Sequence, residues 1–275
     1  AQGVTATDVS RALAANNFIS AVGRTKGQMM TVDLTAATGM HSAREFEELV
    51  IRSSGGAIVR LKDISRVTLG SEDYDVSVLF DGESLNGWHR FNHKGIPPIW
   101  TAKDGVLTFD PALRPEGDYI HDLISDKEFT SFQLSIEWNI AEGGNSGVFW
   151  AVPEAEGLHK PYSTGPEIQV LDNERHPDAK ANPKFHQAGA LYDLVQPTQD
   201  VCKPAGSWNH FLITIDHNKN EGSVALNGVT IVEFPVHGSQ WDEMIANSKF
   251  ADPCDFRHFA KVRKGRIGLQ DHGDK

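Results

Sequence analysis

The sequence has few cysteines, no cluster of basic residues and no long apolar run, and each absence narrows the range of functions. Its two cysteines, Cys202 and Cys254, are too few for a disulfide scaffold or a zinc site, and they could form one disulfide or remain two buried thiols. The formal net charge of −11 argues against nucleic acid and anionic membrane surfaces as partners. No apolar run approaches the roughly 18 residues of a membrane-spanning helix, so we predict no membrane insertion.

The chain begins without an initiating Met or a signal peptide, so we expect its start to be processed or cut. Residues 1–76 alternate between helix and strand patterns. We predict helices over Thr5–Asn16 and from the capping box at Ser42 to about Ile51, and strands over Met29–Ala37 and Ala57–Leu61. This αβαβ order indicates a small α/β fragment.

From about Val78 onwards, short strands separated by turn residues replace that pattern. Phe132–Trp138 alternates between apolar and polar residues, and Asn227-Gly228 is a strong hairpin signal between two apolar runs. A single helix is predicted, over Ser239–Ser248. Many short strands at roughly ten-residue spacing favour a two-sheet β-sandwich, so we predict a mainly β domain over residues 77–275.

The stretch Gly165–Asn173 has an unusual polar pattern for a strand. In a regular strand Glu167 and Gln169 share one face, whereas Asp172 lies on the other. A one-residue bulge after Gln169 would bring Asp172 onto the face of Glu167 and Gln169. We predict such a bulge and a site around these three residues; the alternative is a rim strand with solvated acids.

The same strand resembles the catalytic strand of laminarinase-type jelly-roll glycoside hydrolases, which reads Glu-Ile-Asp-Ile, an optional bulge residue, then Glu. Here the middle Asp is Gln169 and the last Glu is Asp172. A retaining glycosidase needs two carboxyl groups roughly 5 Å apart, and an amide cannot relay a proton. The strand therefore keeps the form of that site without its ordinary proton relay.

Several blocks resemble the bacterial 3-keto-disaccharide hydrolase domain, in that family's order. They are Leu79-Phe80-Asp81-Gly82, Gly87-Trp88, Asn145–Phe149, Gly165–Asn173, Gly189–Asp193, Lys203–Asn209, Leu226-Asn227-Gly228 and Gly265–Gly273. The resemblance implies a concanavalin-like jelly roll, action on sugars oxidised at carbon 3, and a periplasmic or secreted location. The family pattern continues into a further strand after His272-Gly273, so we expect the sandwich to lack its last strand.

Residues from Gly3 to Asp75 carry a different resemblance. Runs such as GVTATDVSRALAANNFISAVG and SAREFEELVIRSSGGAIVRLKDISRVTLG resemble part of the porter region of resistance-nodulation-division efflux pumps. The resemblance implies half of a ferredoxin-like subdomain. Because such a fragment cannot pump, we expect a fused appendage or, preferably, a chimera of two genes. A pump-associated adaptor is a further alternative.

The chemistry that this family resemblance implies suits the residues of the stretch Gly165–Asn173. A ketone at carbon 3 acidifies the proton on carbon 2, a base removes it, the group at carbon 1 leaves, and water addition completes a net hydrolysis. This route needs a base, a donor to the enolate oxygen, and an acid or metal for the leaving group. We predict Glu167 or His272 as the base and Asp172 as the partner acid or a metal ligand.

Six further residues are candidates for binding the saccharide: Asn145, Gln169, Tyr192, Lys203, Trp208 and Gln270. Most have a structural alternative, as a turn residue, a strut, a core aromatic or an exposed loop charge. Glu167, Asp172 and His272 could hold a divalent metal, although no contiguous motif demands one, so no cofactor is certain. No partner protein is predicted.

The sequence thus predicts an enzyme that cleaves the glycosidic bonds of 3-keto-glycosides. The alternative is a non-catalytic carbohydrate-binding jelly-roll module. The two differ in whether Glu167, Asp172 and His272 converge on one site.

Overall fold

The computed structural model describes residues 48–54, 57–63, 77–115, 121–182 and 184–273. The chain divides into two compact units, residues 1–78 and residues 79–275. The helix predicted over Thr5–Asn16 and the strand predicted over Met29–Ala37 lie outside the described residues. No helix in the described ranges has both the length and the apolar character needed to cross a membrane.

In the first unit, the described residues form an antiparallel pair of strands, β1 (Val50–Ser54) and β2 (Ala57–Arg60), followed by a 3₁₀ turn over Leu61–Asp63. The strand predicted over Ala57–Leu61 is confirmed. The prediction that the preceding helix reaches Ile51 is wrong, because Val50 and Ile51 belong to β1. Both are β-branched, which favours a strand, and Leu49 and Ile51 are buried on either side of an exposed Val50.

The second unit is a sandwich of two antiparallel sheets, which confirms the predicted mainly β jelly-roll fold. The larger sheet has the order β3 (Trp88–Arg90), β6 (Leu123–Phe129), β13 (Gly265–Leu269), β8 (Asn145–Val152) and β9 (Glu167–Leu171). The smaller sheet has the order β12 (Val229–Phe234), β11 (Glu221–Leu226), β10 (Asn209–Asp216) and β7 (Phe132–Trp138). A separate hairpin contains β4 (Trp100–Lys103) and β5 (Val106–Phe109).

The remaining regular elements are short. Helix α1 spans Asp178–Ala181 and helix α2 spans Ser239–Ala246, which confirms the helix predicted there. Turns of 3₁₀ helix cover Pro111–Leu113, Pro161–Ser163 and Lys249–Ala251. The segment Ala188–Asp193 forms only single bridges, Ile168 to Leu191 and Leu191 to Val195. Gly189 has a φ of +84°, which interrupts an extended strand.

The main core lies between the two sheets. Along β10, burial alternates, with Phe211, Ile213 and Ile215 facing inward, as the period-2 pattern predicts. Trp138 packs on Phe211 with ring centroids 5.2 Å apart. Both cysteines are free thiols, and Cys254 is exposed, so neither a disulfide nor two buried thiols is present.

The larger sheet also carries side chains on the face that points away from the smaller sheet, which we call the outer face. A second apolar cluster separate from the main core lies there, formed by Phe91, Ile124, Phe149 and Val152. Phe149 is paired with Glu167 across β8 and β9, so both side chains project from the same face. The outer face therefore positions Glu167.

Candidate active site

The register of β9 decides which polar residues share a face. Five consecutive pairs join β8 to β9, from Asn145 opposite Leu171 to Phe149 opposite Glu167, without a register shift in this described ladder. The predicted bulge after Gln169 is therefore wrong. Glu167 and Gln169 project together, and strand alternation turns Asp172 to the opposite side.

Asp172 instead holds together the turns at the end of β9. Its Oδ2 accepts a hydrogen bond from Gly143 N at 2.8 Å, and its Oδ1 accepts from Glu174 N at 3.1 Å and Arg175 N at 3.3 Å. Burial alone would raise the pKa of Asp172, but these hydrogen bonds and the Arg175 guanidinium hold it below its usual value. A carboxylate occupied in this way is suited to anchoring turns, and the role of acid beside Glu167 is corrected accordingly.

We predict that Asp172→Asn destabilises the fold by about 1–3 kcal/mol near pH 7, because an amide replaces a carboxylate that accepts several backbone hydrogen bonds. The native pKa is depressed, so this stability is fully present above the unfolded-state pKa near 3.8 and is lost as the pH falls through the folded pKa. Urea unfolding at pH 7 and pH 3 measures the difference. An equal difference at both pH values would contradict the anchoring role.

Glu167 is a buried ionisable group on the outer face. It is 7% exposed, and its side chain lies directly over Gly147, where an added Cβ would come within 2.0 Å of Glu167 Oε1. Burial raises the pKa of Glu167 to about 8; the positive charge of Lys249 opposes the shift, and the charges of Asp122 and Asp178 add to it. A carboxyl with this pKa can take up and release protons near neutral pH.

Two glutamine amides line the site on either side of Gly147. Gln169 Nε2 donates to Asn145 Oδ1 at 3.0 Å, and Asn145 Nδ2 donates to Asp178 Oδ2 at 3.2 Å. Gln270 is hydrogen-bonded to the Glu167 carboxyl and lowers its pKa. The amide oxygens of Gln169 and Gln270 are buried, and no described residue donates a hydrogen bond to them. Buried acceptors of this kind are normally paired, so they are available to a bound hydroxyl group.

A cation and a phenol lie near the same carboxyl, since Lys249 affects the pKa of Glu167 and Tyr192 N donates to Glu167 O at 3.0 Å along the edge of β9. Lys249 Nζ lies 4.1 Å from the centroid of the Tyr192 ring, and Lys249 N donates to Asp193 Oδ2 at 2.9 Å. The ring of His186 stacks on the ring of Tyr192, with the two ring centroids 4.3 Å apart. Burial raises the pKa of the Tyr192 phenol and lowers the pKa of the Lys249 ammonium, while the charge of Glu167 opposes the change at Lys249. Tyr192 is therefore a proton-bearing donor near neutral pH.

The structure brings His272 to the end of this site. Its ring packs edge-on against His176 at 6.1 Å, and His176 Nδ1 accepts a hydrogen bond from Asp178 N at 3.2 Å. Because Asp178 also affects the pKa of Glu167, the two histidines border the Glu167 site. His272 itself is exposed, so it is accessible to substrate and solvent.

Lys203 and Trp208 lie in the segment that precedes β10 of the smaller sheet. Lys203 Nζ donates to the carbonyl oxygen of Trp208 at 3.0 Å, directly before β10. Trp208 is 43% exposed, so it is not the core residue that the sequence suggests as an alternative. Neither residue is among those that affect the Glu167 carboxyl.

Comparison with known proteins explains this arrangement. Residues 75–275 match the model of a family described as the 3-keto-α-glucoside-1,2-lyase-like domain. The chain belongs to this family. A 3-keto-disaccharide hydrolase of Bacteroides thetaiotaomicron is 34% identical over 220 residues, which cover 71% of this chain and 73% of that protein. Membership confirms the predicted family and the prediction that the chain is an enzyme.

A solved structure agrees with the assignment to the 3-keto-α-glucoside-1,2-lyase-like family. A Parabacteroides distasonis protein described as a glycosyl hydrolase superimposes with a TM-score of 0.64 at 26% identity. The match covers 72% of this chain and 88% of that one. The sandwich is therefore shared with a protein described as acting on glycosides.

The N-terminal resemblance is also confirmed. Residues 1–93 match the AcrB/AcrD/AcrF family model. The multidrug export protein AcrF of Escherichia coli is 35% identical over 78 residues, which are 28% of this chain and 8% of the pump. The chain thus spans less than a tenth of that pump's length.

Within the part of the chain that the structure describes, no group of three or more His, Cys, Asp and Glu side chains is arranged to hold a metal ion. The metal set considered from the sequence, Glu167 with Asp172 and His272, does not form, because Asp172 faces away from Glu167 and binds the turns.

Sequence reasoning missed three charged residues of this family member's site: Lys249, Asp178 and Asp122. Lys249 is 82 positions after Glu167 and follows a helix of the sandwich, and no local spacing connects the two. Asp178 opens a four-residue helix, which looks like an ordinary loop acid in the sequence. Only the tertiary fold brings these residues, which are far from Glu167 in the chain, close enough to affect its pKa.

Proposed function

We propose that this enzyme cleaves the glycosidic bond of 3-keto-glucosides by removing the proton on carbon 2, with Glu167 as the base. The observation that carries the proposal is the buried Glu167 carboxyl, whose pKa of about 8 suits proton abstraction from carbon. The name of the Bacteroides relative supports a 3-keto sugar as the substrate. Neither an ordinary two-carboxylate mechanism nor a second carboxyl beside Glu167 on β9 is needed.

In the first step the ionised Glu167 takes the proton from carbon 2, and the electron pair of the broken C–H bond forms an enolate with the ketone oxygen. The enolate collapses to a carbon 1–carbon 2 double bond and expels the aglycone oxygen from carbon 1. That oxygen takes a proton from a general acid. Water then adds at carbon 1 and gives one proton to the deprotonated general acid, while Glu167 returns its proton to carbon 2, which completes a net hydrolysis.

Nearby groups supply the remaining functions. Lys249 carries the positive charge that influences Glu167, and it is suited to stabilising the enolate oxygen. Tyr192, whose pKa is raised by burial, and the exposed His272 are the candidates for protonating the leaving group. The unpaired amide oxygens of Gln169 and Gln270 are suited to accepting hydrogen bonds from sugar hydroxyl groups, with Asn145 holding Gln169 in position.

We also propose that the enzyme works in the periplasm or outside the cell. Support comes from the family resemblance seen in the sequence.

We expect the full chain to release 4-nitrophenol from 4-nitrophenyl 3-keto-α-glucoside and not from the unoxidised glucoside, because only the ketone acidifies carbon 2. The release is followed by absorbance, with kcat/KM rising up to about pH 8 as Glu167 ionises. Release from both sugars would indicate ordinary glycosidase chemistry. Binding of the keto sugar without release would favour the carbohydrate-binding module.

A further inference from the structure

A second buried carboxyl, Asp122, precedes β6 on the same outer face as Glu167. Leu269 of β13 pairs with Leu123 on one side and with Val148 on the other. The next position of these two ladders therefore aligns Asp122, Gln270 and Gly147 in one row across three strands.

Hydrogen bonds on both sides of β13 hold this row together. Gln270 N donates to Gly147 O at 2.9 Å, and Asp271 N donates to Asp122 Oδ1 at 2.9 Å. Since the Glu167 side chain covers Gly147, Gln270 lies between the two carboxyls. Neighbouring strands are about 4.8 Å apart, so two strand spacings separate the carboxyls by roughly 10 Å.

Asp122 is enclosed by charged and polar groups of its own. It is 3% exposed, and its neighbour Asp271 receives two hydrogen bonds from Arg114, at 2.7 and 2.5 Å, and one from His121 N at 2.9 Å. Burial raises the pKa of Asp122 to about 8, the Asp271 carboxylate adds to the shift, and Arg114 opposes it. Asp122 thus gains or loses its charge in the pH range in which Glu167 does.

Glu167 is influenced from each element packed around it. Lys249, after α2, favours its ionised form, whereas Asp178 of α1 and Asp122 disfavour it. Tyr192, in the loop after α1, adds no charge near neutral pH, because burial raises the pKa of its phenol and keeps it protonated. Among these charged groups, Asp122 lies in the sheet itself, and its charge affects the pKa of Glu167 across the intervening Gln270.

We propose that Asp122 is a positioning residue that makes Glu167 a stronger base, because the negative charge of ionised Asp122, held across Gln270 in a buried row, disfavours a second negative charge on Glu167. The inference rests on the proposed role of Glu167. It gives a function to a buried carboxyl that makes no direct contribution to the reaction steps above.

The test is Asp122→Asn, which keeps the oxygen that accepts from Asp271 N and removes the charge. We expect Glu167 to titrate at a lower pH in this variant, by up to about one pH unit, which is the size expected for two full charges about 10 Å apart in a protein interior. The shift is smaller than this limit because Asp122 itself ionises in the same pH range. Carbon-13 NMR of glutamate-labelled protein follows the carboxyl directly, with the Glu167 signal assigned by its loss in Glu167→Gln. The rising limb of kcat/KM against pH should move by the same amount, and the plateau should fall a few-fold because a weaker base removes the proton.

Asp126→Asn is the matched control, since Asp126 lies on β6, four residues after Asp122, and is hydrogen-bonded to His89. In this control variant Glu167 should titrate at the same pH as in the wild type. An unchanged Glu167 midpoint in Asp122→Asn would overturn the inference, as would an equal shift in the control. If the midpoint moves but no form of the protein acts on the 3-keto-glucoside, the proposed function fails and the coupling of the two carboxyls stands.

Discussion

Glu167→Gln should lower the turnover of a 3-keto-glucoside by about a thousandfold or more, because the variant has no base to remove the proton on carbon 2. The amide is isosteric and keeps the contact over Gly147, so the fold should be retained. The assay is 4-nitrophenol release under saturating 3-keto-glucoside, with Glu137→Gln, an exposed residue on β7 of the other sheet, as the control. Turnover at the wild-type level would exclude Glu167 from the mechanism.

The same variant should be more stable than the wild type at pH 8. Glu167 has a folded-state pKa of about 8 against an ordinary value of 4.5, so between these values the unfolded chain is ionised while the folded protein is still protonated. The wild type therefore loses stability as the pH rises through this window, whereas glutamine does not titrate. We expect a difference of roughly 4 kcal/mol at pH 8 that disappears below pH 4.5. A stability difference independent of pH would contradict the burial of an ionisable group.

Gly147→Ala should lower the same activity by about a hundredfold while leaving the protein folded. The added Cβ would lie 2.0 Å from Oε1 and 2.6 Å from Cδ of Glu167, which is closer than real atoms approach. The carboxyl must move, since the end of a side chain yields more readily than two paired strands do. A displacement of about 1 Å in a reacting group can cost this much in rate. Measurement of kcat/KM and of the melting temperature separates loss of activity from loss of folding.

Gly268→Ala provides the matched control for this substitution. Gly268 lies on the adjacent strand β13 and faces the same side, but its added Cβ would meet carbon atoms of Phe149 and Ile124 at 3.2–3.4 Å. We expect a modest loss of stability and activity within a few-fold of the wild type. Equal losses of activity in the two variants would show that Gly147 is needed for the packing of the strands and not for the position of Glu167.

Local sequence patterns were sufficient for much of the sandwich. The alternation in Phe132–Trp138 and the Asn227-Gly228 turn predict β7 and the β11–β12 hairpin, and Asn227 and Gly228 do take the positive φ values of 52° and 85° that such a turn needs. Strands β3 and β6 were not predicted. β3 has three residues, and β6 begins with buried Leu123, Ile124 and Ser125 and ends with exposed charges, so neither shows an alternating pattern.

The active site divides in the same way. The stretch Gly165–Asn173 predicts Glu167 and Gln169 on one face of a strand, and the structure places them so; their functional roles stay a prediction. It misassigned Asp172, since the presence of a bulge depends on hydrogen bonds to β8 that the stretch alone does not contain. The place of Asp172 follows from bonds to Gly143 in a distant turn.

The sequence alone determined the fold class and the family and proposed Glu167 as the candidate base, because these depend on local periodicity and on contiguous motifs. The tertiary structure alone decided which groups surround that carboxyl: Lys249 and Asp178 from loops, and Asp122 from across β13. Its pKa of about 8 arises from burial and from charges far apart in the chain, and both exist only after the sheets have packed and the loops have closed over the outer face.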